Sequence, residues 1–215
     1  MHPKEADTRN RMRARIARLA RALLPLADVA TERLVDELCR QTDISVRAFR
    51  GLFPTDDDLI RAVNQQILDE CAERLQGAAG GVEASGDEAL DLQSAARALA
   101  EAWPMDWATL TIRSRERAAA LMARDGSRPD ALLDTERGYA PAILEALVGV
   151  FTRIGREFVW EPLLAARVIT LAYERSFEAW ALAGGDERDF PASPFTTHTL
   201  PRILAGVSRP IAVRA

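Results

Sequence analysis

The chain is poor in the residue types on which most enzyme chemistry rests. Its 215 residues include two histidines, His2 and His198, and two cysteines, Cys39 and Cys71. His198 lacks the glutamate three residues earlier that a di-iron bundle requires, and His2 lies in the N-terminal tail, so no imidazole base or ligand set can be assembled. The cysteines are far apart without a CxxC spacing, which argues for two small buried thiols rather than a disulfide framework or a zinc site. No GxSxG, Walker-A loop, HExxH or strand-linked GxGxxG occurs. The expectation is a protein that is not an enzyme and carries no cofactor and no metal.

Long apolar runs are missing too. No stretch of about 18 or more uncharged apolar residues exists, and the N-terminal segment lacks the apolar core and small-residue cleavage site of a secretory signal. A cytoplasmic protein without a membrane partner is expected. Lys4 is the only lysine, so positive charge is carried almost wholly by arginine.

What is present is ample material for helical cores: 48% of residues are apolar and 28% charged, the balance of an ordinary globular protein. The net charge of −4 hides an asymmetry, because residues 1–53 hold 11 Lys/Arg against 7 Asp/Glu, whereas residues 54–215 hold 17 against 25. A basic segment can track phosphates that an acidic one repels, so any nucleic-acid contact belongs to the N-terminal quarter.

Apolar residues recur at helical spacing nearly throughout, and no stretch of five residues alternates cleanly, which predicts an all-α fold. Met12, Ile16, Leu19 and Leu23 share one face of a first helix whose other faces carry arginines. Pro25 and Asp28 end it. Thr31 is placed to cap a second short helix with Leu34, Val35 and Leu38 inward, and Ser45 to cap a third containing Val46, Arg47, Phe49 and Arg50. Thr55 and Asp58 form a capping box for a long fourth helix, with Asp56 and Asp57 adding charge favourable to a helix N-terminus. That helix is expected to run to about Gln76, followed by a glycine-rich joint at 77–87. Further helical patterns cover about 88–102, 105–123, 129–153, 161–183 and 196–207. The expected organisation is a helix-turn-helix domain at 9–54, a connecting helix at 55–76, the joint at 77–87 and a helical domain at 88–207.

A brace helix, a short helix, a tight turn and a second short helix make the arrangement that places a reading helix in the DNA major groove. The reading helix would be about 45–52. Arg47 and Arg50 could bond guanine edges or phosphates, and Val46 and Ala48 could meet a thymine methyl.

Residues 9–68 resemble the N-terminal region of the tetracycline-repressor (TetR) family. Ile44-Ser45, Phe53 and Leu59 match the family pattern in register, Phe49 stands for its leucine, and Ala62-Val63 continues its fourth helix. Asp43 replaces the usual turn glycine, Arg50 the phosphate-binding tyrosine, Leu52 the histidine before Phe53, and Asp56 a lysine. The resemblance implies a transcriptional regulator, a repressor in its usual form, that binds double-stranded DNA as a homodimer. Thr31, Arg33, Ser45, Val46, Arg47, Arg50 and Thr55 are the implied contacts, with Arg9, Arg11 and Arg13 as an additional arm.

It further implies a small-molecule effector in the C-terminal domain, where largely apolar chemistry fits Trp103, Trp107, Met122, Phe158, Tyr173 and Phe177. Helix 161–183 is apolar on more than one face, and with 196–207 it is the expected dimer interface. Effector binding would spread the two reading helices away from matched grooves, with the fourth helix transmitting the shift. The competing reading is a non-catalytic helical dimerisation or ligand-binding module that has lost sequence-specific DNA binding. It predicts that Arg47 and Arg50 fold back onto Asp56 and Asp57.

Overall fold

The computed structural model describes residues 3–23, 32–103, 105–122 and 139–211, with side chains at 7–23, 33–103, 105–114 and 140–211. Pro25, Asp28, Thr31 and residues 129–138 of the expected 129–153 helix therefore lie outside the described residues, as does the side chain of Met122. Among the described residues the fold is α-helical, with one short two-stranded ribbon. No described helix is long and apolar enough to cross a membrane.

The helices are α1 (Pro3–Leu23), α2 (Glu32–Thr42), α3 (Val46–Leu52), α4 (Asp56–Gly81), α5 (Glu88–Ala102), α6 (Trp107–Met122), α7 (Tyr139–Arg153), α8 (Pro162–Leu182) and α9 (Leu200–Val207). They fall into two compact units. The first comprises α1–α3, α4 through Ile67, and α6; the second takes α4 from Leu68 together with α5, α7, α8 and α9. The division differs from the expected one, since α6 packs with the N-terminal helices rather than with the 88–207 domain.

In the first unit, Ile16 and Ala20 of α1, Leu38 of α2, Phe49 of α3 and Val63 of α4 are fully buried. α6 contributes Leu110 and Ile112 to its buried apolar residues, and Arg21 of α1 donates to Thr109 Oγ1 at 3.5 Å. Gln66 of α4 donates to the carbonyl of Ala14 at 2.7 Å, tying α4 to α1.

In the second unit, α7 and α8 pack along one another and α5 packs on α9. The core holds Leu99, Ile143, Leu147, Phe151, Ile169, Tyr173, Phe177 and Leu204. Local caps explain where its helices begin. Asp87 accepts from the amides of Ala89 and Leu90 at 2.9 and 3.2 Å, and Glu161 accepts from those of Leu163 and Leu164 ahead of a proline-initiated α8.

Three features depart from the sequence expectation. α4 continues through Gly77, Gly80 and Gly81 instead of stopping near Gln76. Its last turn is held by burial of Ala79, which lies so close to Gly149 of α7 that a Cβ there would sit 3.1 Å away. Tertiary packing thus outweighs the low helix propensity of glycine. The second departure is the antiparallel ribbon of β1 (Arg156–Phe158) and β2 (Ser208–Pro210), paired Arg156 to Pro210 and Phe158 to Ser208. Strands of three residues are too short to show alternation. Third, the 196–207 helix opens with a wider π turn over Phe195–Thr199 before α9. Pro201 has no amide hydrogen to donate to the carbonyl of Thr197, which removes one α-helical bond there.

Two aspartates hold their neighbourhoods through hydrogen bonds. Buried Asp91 accepts from the amide and hydroxyl of Ser85 at 2.6 and 2.7 Å, and these bonds lower its pKa from 3.8. Asp58 is lowered from 3.8 by the hydroxyl and then the amide of Thr55. Because both folded-state values are depressed, their stabilisation is complete above the unfolded value and is lost as pH falls through the folded value. The urea midpoint should therefore stay flat near neutrality and decline below about pH 4. An Asp91→Asn variant should start lower and decline less steeply.

Candidate nucleic-acid interface

The turn between α2 and α3 is built from three consecutive residues with distinct tasks. Asp43 adopts φ 56°, the left-handed conformation that ends a helix, and the amide of Ile44 reaches back to the carbonyl of Cys39 at 3.1 Å. Ser45 is extended (φ −73°, ψ 154°), and its hydroxyl accepts from the amide of Ala48 at 3.1 Å, capping α3. Glycine would take the Asp43 conformation without a Cβ penalty. Asp43→Gly is accordingly expected to stabilise the protein by about 0.5–1 kcal/mol, read as a raised urea midpoint with unchanged slope.

α3 is anchored from beneath by Phe49, whose ring lies 5.4 Å from that of buried Phe53. Its outward side carries Val46, 48% exposed, together with exposed Arg47 and Arg50. Arg47 has no hydrogen-bond or ion-pair partner among the described residues, and the same holds for exposed Arg33 on α2.

Arg50 differs. Its Nη1 is 2.8 Å from Asp56 Oδ1 on the first turn of α4, and its guanidinium lies 5.7 Å from the centre of the Phe49 ring. Of the two arginines, one has folded back onto the acidic cluster and the other has not.

Arg9 and Arg13 of α1 are committed inside the unit rather than extended as an arm. Arg9 donates to the carbonyl of Gly51 at 2.7 Å, and Arg13 donates to that of Leu52 while its guanidinium sits 4.7 Å over the Phe53 ring. Both satisfy carbonyls at the C-terminal end of α3, where positive charge also meets the negative end of the helix dipole. Arg11 pairs with Asp7 at 2.8 Å. The Arg9 and Arg13 bonds span 42 and 39 residues of sequence and leave no local signal.

Thr55 and Asp58 form the expected reciprocal cap, with the Asp58 amide 3.2 Å from Thr55 Oγ1 and the Thr55 amide 3.0 Å from Asp58 Oδ2. Thr55 thereby serves α4 first. On α2, Glu37 gathers Arg40 and Gln41 along the exposed face, and these bonds draw its pKa down from 4.5 to about 2.

The residues expected to line an effector pocket are dispersed. Trp103 stacks on Tyr173 with ring centres 4.4 Å apart, and the Tyr173 hydroxyl donates to the carbonyl of Ala100 at 3.2 Å. Phe177 meets Phe190 edge to face. All three are buried, and burial pushes the Tyr173 hydroxyl pKa upward. Phe158 packs edge-on against Phe151, and Trp107, in the first unit, is 40% exposed. Trp103 Nε1 has no hydrogen-bond partner among the described residues, a state it shares with Asn64 Oδ1 and the Nε atom of Arg167. Two open grooves of about 300 and 290 Å³ run between α5 and residues 188–205, and neither is lined by the six expected residues.

On α8, Leu164, Leu171 and Leu182 are exposed by 50, 52 and 73%. They are spaced by whole helical turns and form one stripe. Val148 of the neighbouring α7 is also exposed, whereas Leu200, Leu204 and Val207 of α9 are buried in their own unit. Of the helices expected to pair two chains, α8 presents an apolar face and α9 does not.

Comparison with protein-family models, with curated proteins and with solved structures finds no match to this chain.

Proposed function

We propose that the protein is a ligand-responsive transcriptional regulator of the TetR type, acting as a repressor, whose α2–turn–α3 unit is a helix-turn-helix that reads DNA. The observation that carries this reading is α3 itself. It is short, capped by Ser45 and seated on Phe49, and its outer side offers Val46 and an unpartnered Arg47. A helix so mounted fits the major groove, where arginine recognises guanine N7 and O6 and an apolar side chain meets a thymine methyl. Arg33 would add a phosphate contact from α2, and Ser45 and Thr55, which cap α3 and α4, would add further ones.

A homodimer matches a two-fold operator, and the unpartnered stripe on α8, joined by Val148 of α7, supplies the surface for it. The effector would be a largely apolar small molecule bound in the second unit. Footprinting on the DNA upstream of its own coding sequence tests the reading. Two protected half-sites separated by about one helical turn are expected.

The second reading, a helical module without sequence-specific DNA binding, is favoured by the fold-back of Arg50 onto Asp56 and by the use of Arg9 and Arg13 as caps of α3. It predicts a dimer in sedimentation and no protected DNA.

A further inference from the structure

The Arg50–Asp56 pair has a consequence for how the reading helix meets DNA, one that rests on the DNA reading above. Arg50 stands in the last turn of α3, on the exposed side, and Asp56 opens α4 across the short connection Phe53-Pro54-Thr55. The contact is single, Nη1 to Oδ1 at 2.8 Å, and both side chains are partly open to solvent, at 42 and 35% relative exposure. A guanidinium has five N–H donors, so one carboxylate oxygen leaves most of them unused. Exposed pairs of this kind are weak and exchange readily with other anions. Asp57 and Asp58 follow directly, and of these Asp58 is itself paired with Arg61 at 3.5 Å.

We propose that Asp56 is an internal competitor for the DNA phosphate at Arg50, occupying in the free protein the cation that the bound duplex must recover. A backbone phosphate approaching α3 meets a neutral pair in place of a free cation. Binding therefore exchanges one anion for another at Arg50 instead of neutralising a new charge. Arg47, with no such partner among the described residues, stays fully available. Asp56 is a positioning residue in this scheme and touches no base. Its effect is to hold affinity below what the cations of α3 allow, which lets a modest effector preference between states release the DNA.

The test measures binding of the full-length protein to a labelled duplex from the region upstream of its own coding sequence, as a function of salt. The variants are Asp56→Asn, Asp57→Asn, Arg50→Ala and the Arg50→Ala, Asp56→Asn double substitution. Asp57→Asn removes the same charge without freeing an arginine and so reports general repulsion. Asp56→Asn is expected to bind about three- to tenfold tighter than Asp57→Asn, with a salt slope steeper by about one. In the Arg50→Ala background that advantage should vanish. Asp56→Ser, which retains helix-starting character at this end of α4, provides a second variant should the asparagine perturb folding.

An Asp56→Asn affinity no greater than that of Asp57→Asn, or a gain that persists without Arg50, would overturn the proposal while leaving DNA reading intact. Weaker binding by Asp56→Asn than by the parent would overturn it in favour of a carboxylate that orients Arg50 toward the DNA. If neither parent nor Asp56→Asn binds at low salt, the DNA reading falls and the proposal with it.

Discussion

Phe49→Ala is expected to destabilise the first unit by about 3–5 kcal/mol, the range for deleting a large buried side chain and leaving a cavity. The ring is fully buried, and it sits beneath α3 at the point where Phe53 and the α2–α3 turn converge. α3 has only seven residues, too few to persist without packing. Loss of Phe49 should therefore unfold α3 before the rest of the chain. Denaturation followed separately by far-ultraviolet circular dichroism and by tryptophan fluorescence should show two transitions, with DNA binding lost at or before the first. A single transition with less than about 1 kcal/mol lost would show that α3 is not seated as described.

Arg156→Ala is the second large effect. The Arg156 side chain is 4% exposed, and its guanidinium donates to Glu88 Oε1 at 2.6 Å, Ser208 Oγ at 2.8 Å and the Ser208 carbonyl at 2.8 Å. One side chain thus joins β1, β2 and the start of α5. The Glu88 bond contributes least, since that carboxylate is 61% exposed and water can replace its partner. The cost lies with buried Ser208, whose carbonyl and hydroxyl would lose charge-assisted donors. A loss of about 2–4 kcal/mol is expected, measured as a lowered urea midpoint. Arg156→Met, which keeps the apolar stem, should recover only the part due to packing. Were both variants neutral, the ribbon would not be held by this side chain.

The parts of the fold that the sequence reveals are those set within four residues of chain. Ser45 as the cap of α3, the Thr55–Asp58 box and the α5 span all follow from local hydrogen-bonding chemistry and helical spacing. What stays hidden depends on partners far away in sequence. The helical glycines at the end of α4 rely on Ala79 meeting Gly149, and the ribbon pairs residues about fifty positions apart. Membership of α6 in the first unit is likewise a packing outcome that no periodicity reports. The same division runs through the candidate site. Arg47 and Val46 are where their spacing puts them, but Arg9, Arg13 and Arg50 are drawn to carbonyls and a carboxylate by geometry formed only on folding.

A salt-dependent binding titration decides whether α3 reads DNA through its exposed arginines. The purified protein and an Arg47→Ala, Arg50→Ala variant would be titrated on duplex DNA from the promoter region of its own gene. Saturable binding by the parent with a steep negative salt slope, and a loss of affinity with a shallower slope in the variant, is the predicted result. No binding by the parent at low salt, or equal weak binding by both proteins, would contradict the account and leave a dimeric helical module in its place.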